Sequence, residues 1–305
     1  MKYIVTGGAG FIGSHLCEEL VKEGHEVVII DHLSTGRKEN IEHLLKNDSH
    51  ATFYQETITD LEFLMKTFQG ADGVFHQAAM VSVPASVMHP ISNHDINITG
   101  TLNVLIAARD TGVKKVVAAS SAAIYGNLPG LPKREDDPVD PLSPYALAKL
   151  TGEYYGKLFT DLYGLATASL RYFNVYGPRQ DPHSDYAAVI PKFIERLSNG
   201  DPPLIFGDGE QTRDFVYVKD AVQANIKAME SDATGVFNVA SGKETSVNEL
   251  ASILSKLFGF AGKPEYAPER PGDVKRSVAD ISKAKEAFGF DPEYSLEEGL
   301  AELGR

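Results

Sequence analysis

The chain has 305 residues, 43% of them hydrophobic and 23% charged, with a formal net charge of −13. Such a composition is that of an ordinary soluble globular chain, long enough for one large domain or two unequal ones, and its acidity excludes a general positive field for nucleic acid or anionic membrane. The single cysteine, Cys17, excludes an intramolecular disulfide.

The N-terminal MKYIVTGG runs straight into a strand-like segment, with no charged stretch and long apolar run of a leader. No segment has the apolar length that a bilayer span requires, so a cytoplasmic protein is expected. KYIVT (2–6) is followed by an amphipathic helical pattern over 11–23. Cys17 lies in it among Leu16, Leu20 and Val21, the setting of a small buried residue rather than a reactive thiol. EVVII (26–30), ATFYQ (51–55), GVFHQ (73–77) and KVVAAS (115–120) repeat the strand pattern, with helices predicted between them, most clearly at 60–69 and 93–111. Near-continuous apolar strands alternating with helices predict an α/β fold: a Rossmann-type, doubly wound parallel sheet covered on both faces.

In 143–164, Leu147, Leu150, Tyr154, Leu158 and Leu162 recur at three- and four-residue spacing. This predicts a helix, with Pro144 in its first turn and Gly164 at its end. ATASLR (166–171) is the next strand. Beyond about residue 175 the alternation breaks into loops rich in Pro, Gly and Asp, although FVYVKDAVQANIKAM (215–229) and GVFNVA (235–240) are able to return to the sheet. The expected division is a cofactor-binding unit over 1–174, rejoined by 215–240, and a smaller substrate-binding region over 175–305.

TGGAGFIG (6–13) sits between the first strand and the first helix. Gly7, Gly10 and Gly13 let the backbone approach a pyrophosphate, and the N–H groups at Phe11, Ile12 and Gly13 open the helix toward it. The spacing is GxxGxxG rather than GxGxxG, and a tight structural turn would also use such glycines. Asp31 ends the second strand, where a carboxylate accepts hydrogen bonds from a ribose and repels a 2′-phosphate. NAD is therefore expected over NADP, with Arg37 in the following loop as the feature on the other side.

In SPYALAK (143–149), Tyr145 and Lys149 stand one turn apart on one helix face. One reading is ordinary: a half-buried ring and a lysine paired with Glu153. The other is proton transfer. A free tyrosine titrates near ~10, and a neighbouring ammonium together with an oxidised nicotinamide favours the phenolate. Ser121, in SSAAIYG after the apolar strand 115–119, is placed at a strand's carboxyl end to orient a substrate hydroxyl against Tyr145. Asn97 either holds a water or backbone group near the lysine or is a polar residue within a helix.

Taken in order, TGGAGFIG, DHLSTG, NITGTLNVL, SSAAIYG, YALAK and RYFNVYGPR resemble the extended short-chain dehydrogenase/reductase family, nearest its nucleotide-sugar 4-epimerases. The resemblance runs from residue 1 to at least 290. It implies catalytic roles for Ser121, Tyr145 and Lys149, with Tyr172 near nicotinamide and Asn174 near the substrate diphosphate. One departure is visible: members often read GDI where this chain has ETI, so Thr57 replaces an adenine-contacting aspartate and Ile58 remains to flank the ring.

On the substrate side, the resemblance implies that Arg213 and Arg270 grip a diphosphate, through the paired hydrogen bonds that guanidinium offers to phosphate. It also implies that Phe206 faces uracil and that Asp273 takes the nucleotide ribose. Ser277 stands where members confined to UDP-glucose and UDP-galactose often carry tyrosine, and so leaves volume for a 2-acetamido group. RQDPHSDYAAVIPKF (179–193), including Val189, resembles the N-acetylhexosamine subgroup. No metal is expected: the nine histidines lack ligand spacing, and His76 at a strand end reads as packed or hydrogen-bonded.

The expected activity is NAD-dependent 4-epimerisation of a UDP-hexose through a 4-keto sugar, with the N-acetylated pair favoured and UDP-glucose/UDP-galactose close behind. A UDP-glucuronate epimerase or decarboxylase is the alternative within the family, and a non-catalytic dinucleotide-sensing or scaffold protein is the alternative outside it. A 4,6-dehydratase would need an acid and a base where this chain has Ala122 and Ala123. A homodimer through helices 93–111 and 143–164 is expected from the resemblance.

Overall fold

The computed structural model describes residues 1–47, 50–181, 189–269 and 274–304. Strands β1 (Lys2–Thr6), β2 (Glu26–Ile30), β3 (Ala51–Tyr54), β4 (Gly73–His76), β5 (Lys115–Ser121) and β6 (Ala166–Tyr172) build one parallel sheet with Gly235–Val239. The spatial order is Gly235–Val239, β6, β5, β4, β1, β2, β3, with every pairing parallel. Neighbouring residues of each inner strand point to opposite faces. Val5, Ile29, Phe75 and Val117 join one core, and Ile4, Val28, Val74 and Val116 the other. That is why these strands read as continuous apolar runs. β3 lies at an edge and alternates between half-buried and exposed residues.

Chain order reverses between β1 and β4, where a crevice opens beyond the carboxyl ends of the strands. Thr6 at the end of β1 pairs with Ile30 and with His76. β5 and β6 run on beyond the end of β4, and their last pair is Ser121 with Tyr172. Helix α1 (Phe11–Lys22) leaves the crevice from the β1 turn.

The segment 93–111 is not one regular helix. It comprises Pro90–His94, a wide π-helical turn Asp95–Thr99 and the helix Gly100–Asp110. Side chains drive the break: the Thr101 hydroxyl donates to the Asn97 carbonyl at 2.7 Å. The Asn97 carboxamide takes both the N–H and the C=O of Met80, at 2.8 and 2.9 Å, and donates to Asn93. The segment 215–229 also differs, giving a short strand Phe215–Tyr217 paired with Asn174–Tyr176, then the helix Val218–Glu230.

After β6 a separate core forms from Tyr176, Phe193, Tyr217, Leu250, Leu254 and Leu300. Half-buried Phe11 and Ile12 of α1 also pack on it, so it borders the crevice. Among the described residues no helix is long and apolar enough to cross a membrane.

Candidate active site

The helix Pro144–Tyr163 starts where its side chains dictate. Ser143 Oγ accepts the Ala146 N–H at 3.1 Å, Pro144 fills the first turn, and Gly164 closes the end at φ 72°. Its inward face carries Tyr145, Lys149 and Glu153, one turn apart. The Lys149 ammonium donates to the Ala119 carbonyl of β5 at 2.8 Å and stands 5.9 Å from the centre of the Tyr145 ring. The Tyr145 hydroxyl faces the Ser121 hydroxyl, which favours its ionised form. Ser121 Oγ accepts the Ala123 N–H at 3.1 Å, which fixes its rotamer. The Tyr145 backbone N–H is held by Ser86 Oγ at 3.1 Å, tying the first turn to a neighbouring helix.

Burial dominates the ionisation of this group. It pushes the Lys149 ammonium down to about 8, with the Glu153 carboxylate pulling the other way. It also raises the Tyr145 phenol above its ordinary value, and the neighbouring Ser121 hydroxyl only partly offsets this. The expected lowering of Tyr145 by its lysine is therefore not a property of the protein alone, and the resting group is a neutral phenol. Glu153 does not pair with Lys149. It is buried and takes Arg171 through two hydrogen bonds, of 2.9 and 2.8 Å.

Ser121, Tyr145 and Lys149 line a cleft of about 960 Å³ that also takes in Gly7, Gly10, Phe11, Ile12, Gly13, Asp31, Ile58, Tyr172 and Asn174. Two glycines are dictated by closeness. A Cβ on Gly7, at φ 71°, would stand 2.6 Å from the Ala78 nitrogen, and one on Gly13 would stand 2.2 Å from the Gly7 carbonyl oxygen. Without side chains there, α1 seats against the β1 turn with its N-terminus toward the cleft. No side chain caps that N-terminus, so its first N–H groups remain for a ligand.

Asp31 is buried, and its carboxylate accepts the N–H groups of Ala9 (3.0 Å) and Leu33 (2.8 Å). Each oxygen keeps lone-pair capacity toward the cleft. Arg37 pairs with Asp181 at 3.1 Å. An uncapped helix start, a close-approach glycine turn and an anchored carboxylate fit the pyrophosphate and ribose of a dinucleotide. Thr57 is occupied in a local turn, its hydroxyl 2.9 Å from that of Thr59, and beside it Ile58 offers an apolar wall.

Several side chains escaped the sequence reading. Gln77, just past β4, lines the cleft, accepts from the Tyr172 hydroxyl at 3.1 Å and donates to Asn225 at 2.9 Å. Asn225 donates to Tyr172 at 2.6 Å. Burial pushes the Tyr172 phenol up to about 12, so Tyr172 acts as a fixed neutral ring. Nothing in the linear sequence links Gln77 to Asn225, which arrives from the helix Val218–Glu230. His76 bonds the Thr6 and Thr101 hydroxyls at 2.8 and 2.9 Å. Burial, with Lys149 adding to it, takes its pKa down to about 3, so it is neutral.

Asn97 does not line the cleft; it acts through the Met80 backbone, on the loop after β4. Val189, Phe206, Arg213 and Ser277 also stand apart from the cleft lining. The Arg213 guanidinium donates to the carbonyls of Thr212 (2.8 Å) and Val274 (2.5 Å). Ser277 is half-buried in the segment that follows. Arg270 and Asp273 lie outside the described residues. Among the described residues no cluster of His, Cys, Asp or Glu is arranged for a metal ion. Burial pushes the Cys17 thiol up, which leaves it a packing group.

Comparison with known proteins agrees with this layout. The family model described as GDP-mannose 4,6 dehydratase matches residues 4–303. The UDP-glucose 4-epimerase of Mycolicibacterium smegmatis is 43% identical over 305 residues, covering 99% of this chain and 96% of that one. A UDP-N-acetylglucosamine 4-epimerase from Methanobrevibacter ruminantium, solved in complex with UDP-N-acetylmuramic acid, superposes with a TM-score of 0.95 at 45% identity, covering 99% and 96% of the two chains. The Thermus thermophilus UDP-glucose 4-epimerase, solved in complex with NAD, gives a TM-score of 0.89 at 39% identity, covering 100% and 98%. With a family match over nearly its whole length and the parallel sheet in place, this chain belongs to the extended short-chain dehydrogenase/reductase family, in the group of the GDP-mannose 4,6 dehydratase model.

Proposed function

We propose that the protein is an NAD-dependent UDP-sugar 4-epimerase, an isomerase that favours UDP-N-acetylglucosamine and UDP-N-acetylgalactosamine over UDP-glucose and UDP-galactose. One observation carries the reading. Ser121, Tyr145 and Lys149 meet at the carboxyl end of β5, inside the cleft that the glycine turn and Asp31 also line.

NAD, when bound, supplies reversible hydride acceptance at sugar carbon 4. The first turn of α1 would hold its pyrophosphate, and Asp31 its ribose. Ser121 orients the sugar 4-hydroxyl toward Tyr145; beside a bound, positively charged nicotinamide Tyr145 would first release its phenolic proton to solvent, and as phenolate it takes the hydroxyl proton as carbon 4 is oxidised. Lys149 stays charged, anchored on Ala119, and favours the phenolate at that step. Tyr145 then returns the proton once the keto sugar has turned over. For the turning, the nucleotide must be held firmly and the sugar loosely. Asn174, Phe206, Arg213, Arg270 and Asp273 are assigned to the nucleotide end, and Val189 and Ser277 to the sugar end. On this assignment residues 1–174 serve the cofactor and 175–305 mainly the substrate, with the helix Val218–Glu230 and the strand Gly235–Val239 returning to the cofactor side.

Ser277 supports the N-acetylated preference because a small side chain there leaves volume for the acetamido group. Dehydration is disfavoured: Ala122 and Ala123 follow Ser121 in a tight turn and offer neither acid nor base. A homodimer belongs to the same proposal. Leu147, Tyr154, Leu158 and Leu162 form an exposed apolar stripe opposite Tyr145 and Lys149, beside exposed Val87, Met88 and Ile91.

The test is turnover of a panel of UDP-glucose, UDP-galactose, their N-acetylated counterparts and UDP-glucuronate, with assay of NAD released on denaturation. Interconversion of the N-acetylated pair at the highest kcat/KM is expected. A protein that releases NAD yet turns over none of the panel would support the dinucleotide-sensing alternative instead.

A further inference from the structure

Three successive residues of β5 and three successive turns of the helix Pro144–Tyr163 are laced together. Ser121 meets Tyr145, the Ala119 carbonyl takes Lys149, and the residue between them, Ser120, donates its hydroxyl to Glu153 Oε1 at 2.5 Å. Both residues of the third rung are buried, and while Ser120 reaches the cleft lining, Glu153 stands behind it. Glu153 is also bound by Arg171 of β6 through Nε and Nη2. Arg171 Nη1 donates to the Tyr125 hydroxyl at 2.9 Å, and that hydroxyl donates to Asn238 at 2.7 Å. Tyr125 belongs to the turn that follows Ser121, and Asn238 to the edge strand beyond β6. The network therefore joins the helix to β5, to β6, to the turn after Ser121 and to the strand Gly235–Val239.

A buried ion pair seldom adds net stability over apolar packing, so its use lies in specifying geometry or charge. Here the geometry is that of the reacting groups. Glu153 sits one turn past Lys149, and the lacing sets how far along β5, and at what rotation, the helix comes to rest. We propose that Glu153 is a positioning residue: held by Arg171 and Ser120, its carboxylate locks the helix onto the end of β5 so that Tyr145 and Lys149 meet Ser121 and the Ala119 carbonyl in register. This rests on the epimerase reading for its catalytic consequence, though not for its structural one.

The charged and titratable groups about Lys149 are few. Tyr145 and Glu153 lie on its own helix, His76 at the end of β4 is neutral, and Arg171 on β6 is neutralised by Glu153. Removing the Glu153 charge leaves Arg171 unopposed, and both changes disfavour the Lys149 ammonium.

The test compares wild type, Glu153→Gln and the charge-free pair Glu153→Leu with Arg171→Met. The paired variant guards against misfolding, because apolar replacement of a whole buried pair tends to preserve stability. Expected are a kcat lowered by roughly 10²-fold with KM within a few-fold, the scale of a displaced proton-transfer group. The pH at which Lys149 becomes open to amine acylation, read by mass spectrometry on the isolated protein, is expected to fall by roughly one unit in Glu153→Gln. A folded paired variant with wild-type kcat, or an unmoved Lys149 acylation profile in Glu153→Gln, would overturn the proposal. Lack of turnover in wild type would instead overturn the epimerase reading, and the acylation profile would still decide the role of Glu153.

Discussion

Tyr145 is buried and, in the protein alone, harder to ionise than a free tyrosine, while its partner Lys149 is easier to deprotonate than a free lysine. The resting site is thus a neutral phenol beside an ammonium that titrates near the top of the physiological range. Two outcomes follow at this scale. Tyr145→Phe keeps the ring and loses the proton carrier, so kcat is expected to fall by about 10²–10⁴-fold while NAD still copurifies; steady-state kinetics with an assay of bound nucleotide checks both. For pH, Lys149 must hold its proton to favour the phenolate, and its folded-state pKa is depressed to about 8. A kcat/KM profile is therefore expected to fall as pH rises through that value, and to fall again toward acid, where Tyr145 is held as the neutral phenol that cannot take the proton. The Tyr145–Lys149 spacing was legible because a helix repeat is local. Their ionisation was not, because it is set by burial that only the folded chain creates. Glu153 was open to misreading for the same reason: four residues from Lys149 in sequence, it is claimed by Arg171 from another strand.

The strands and helices of the first half were legible because the inner strands are buried on both faces and therefore apolar throughout. The break at Asp95–Thr99 was not, since one extra residue barely disturbs an apolar repeat and its cause is hydrogen bonding by Asn97 and Thr101. The paired short strands beyond β6 were missed because two or three residues carry no period. Two elements carry measurable expectations. Ser143 caps the helix that presents Tyr145, so Ser143→Ala is expected to cost about 1 kcal/mol in denaturant unfolding. Gly13→Ala would bring a Cβ to 2.2 Å from the Gly7 carbonyl oxygen. Helix α1 must then move off the β1 turn, and nucleotide binding, read by calorimetry, is expected to fall more than thermal stability does.

For the whole molecule, a net charge of −13 opposes an anionic ligand, so affinity for a nucleotide diphosphate must come from local donors. The uncapped start of α1 is one such group at the cofactor end of the cleft. Assembly is read from the opposite side of the active helix. Leu158→Asp puts a charge in the exposed apolar stripe and is expected to give a monomer in sedimentation while leaving the sheet intact. Ser277→Tyr is expected to cut kcat/KM on N-acetylated sugars by about tenfold or more while sparing the plain hexoses. The central claim is that one hydride leaves carbon 4 of a UDP-sugar and returns to the same sugar on its other face. It is tested most directly by giving the purified protein, without added nucleotide, UDP-N-acetylglucosamine carrying deuterium at carbon 4. The account expects UDP-N-acetylgalactosamine that retains the deuterium at carbon 4; loss of the label to solvent, or no epimer from this or any other UDP-sugar, would contradict it.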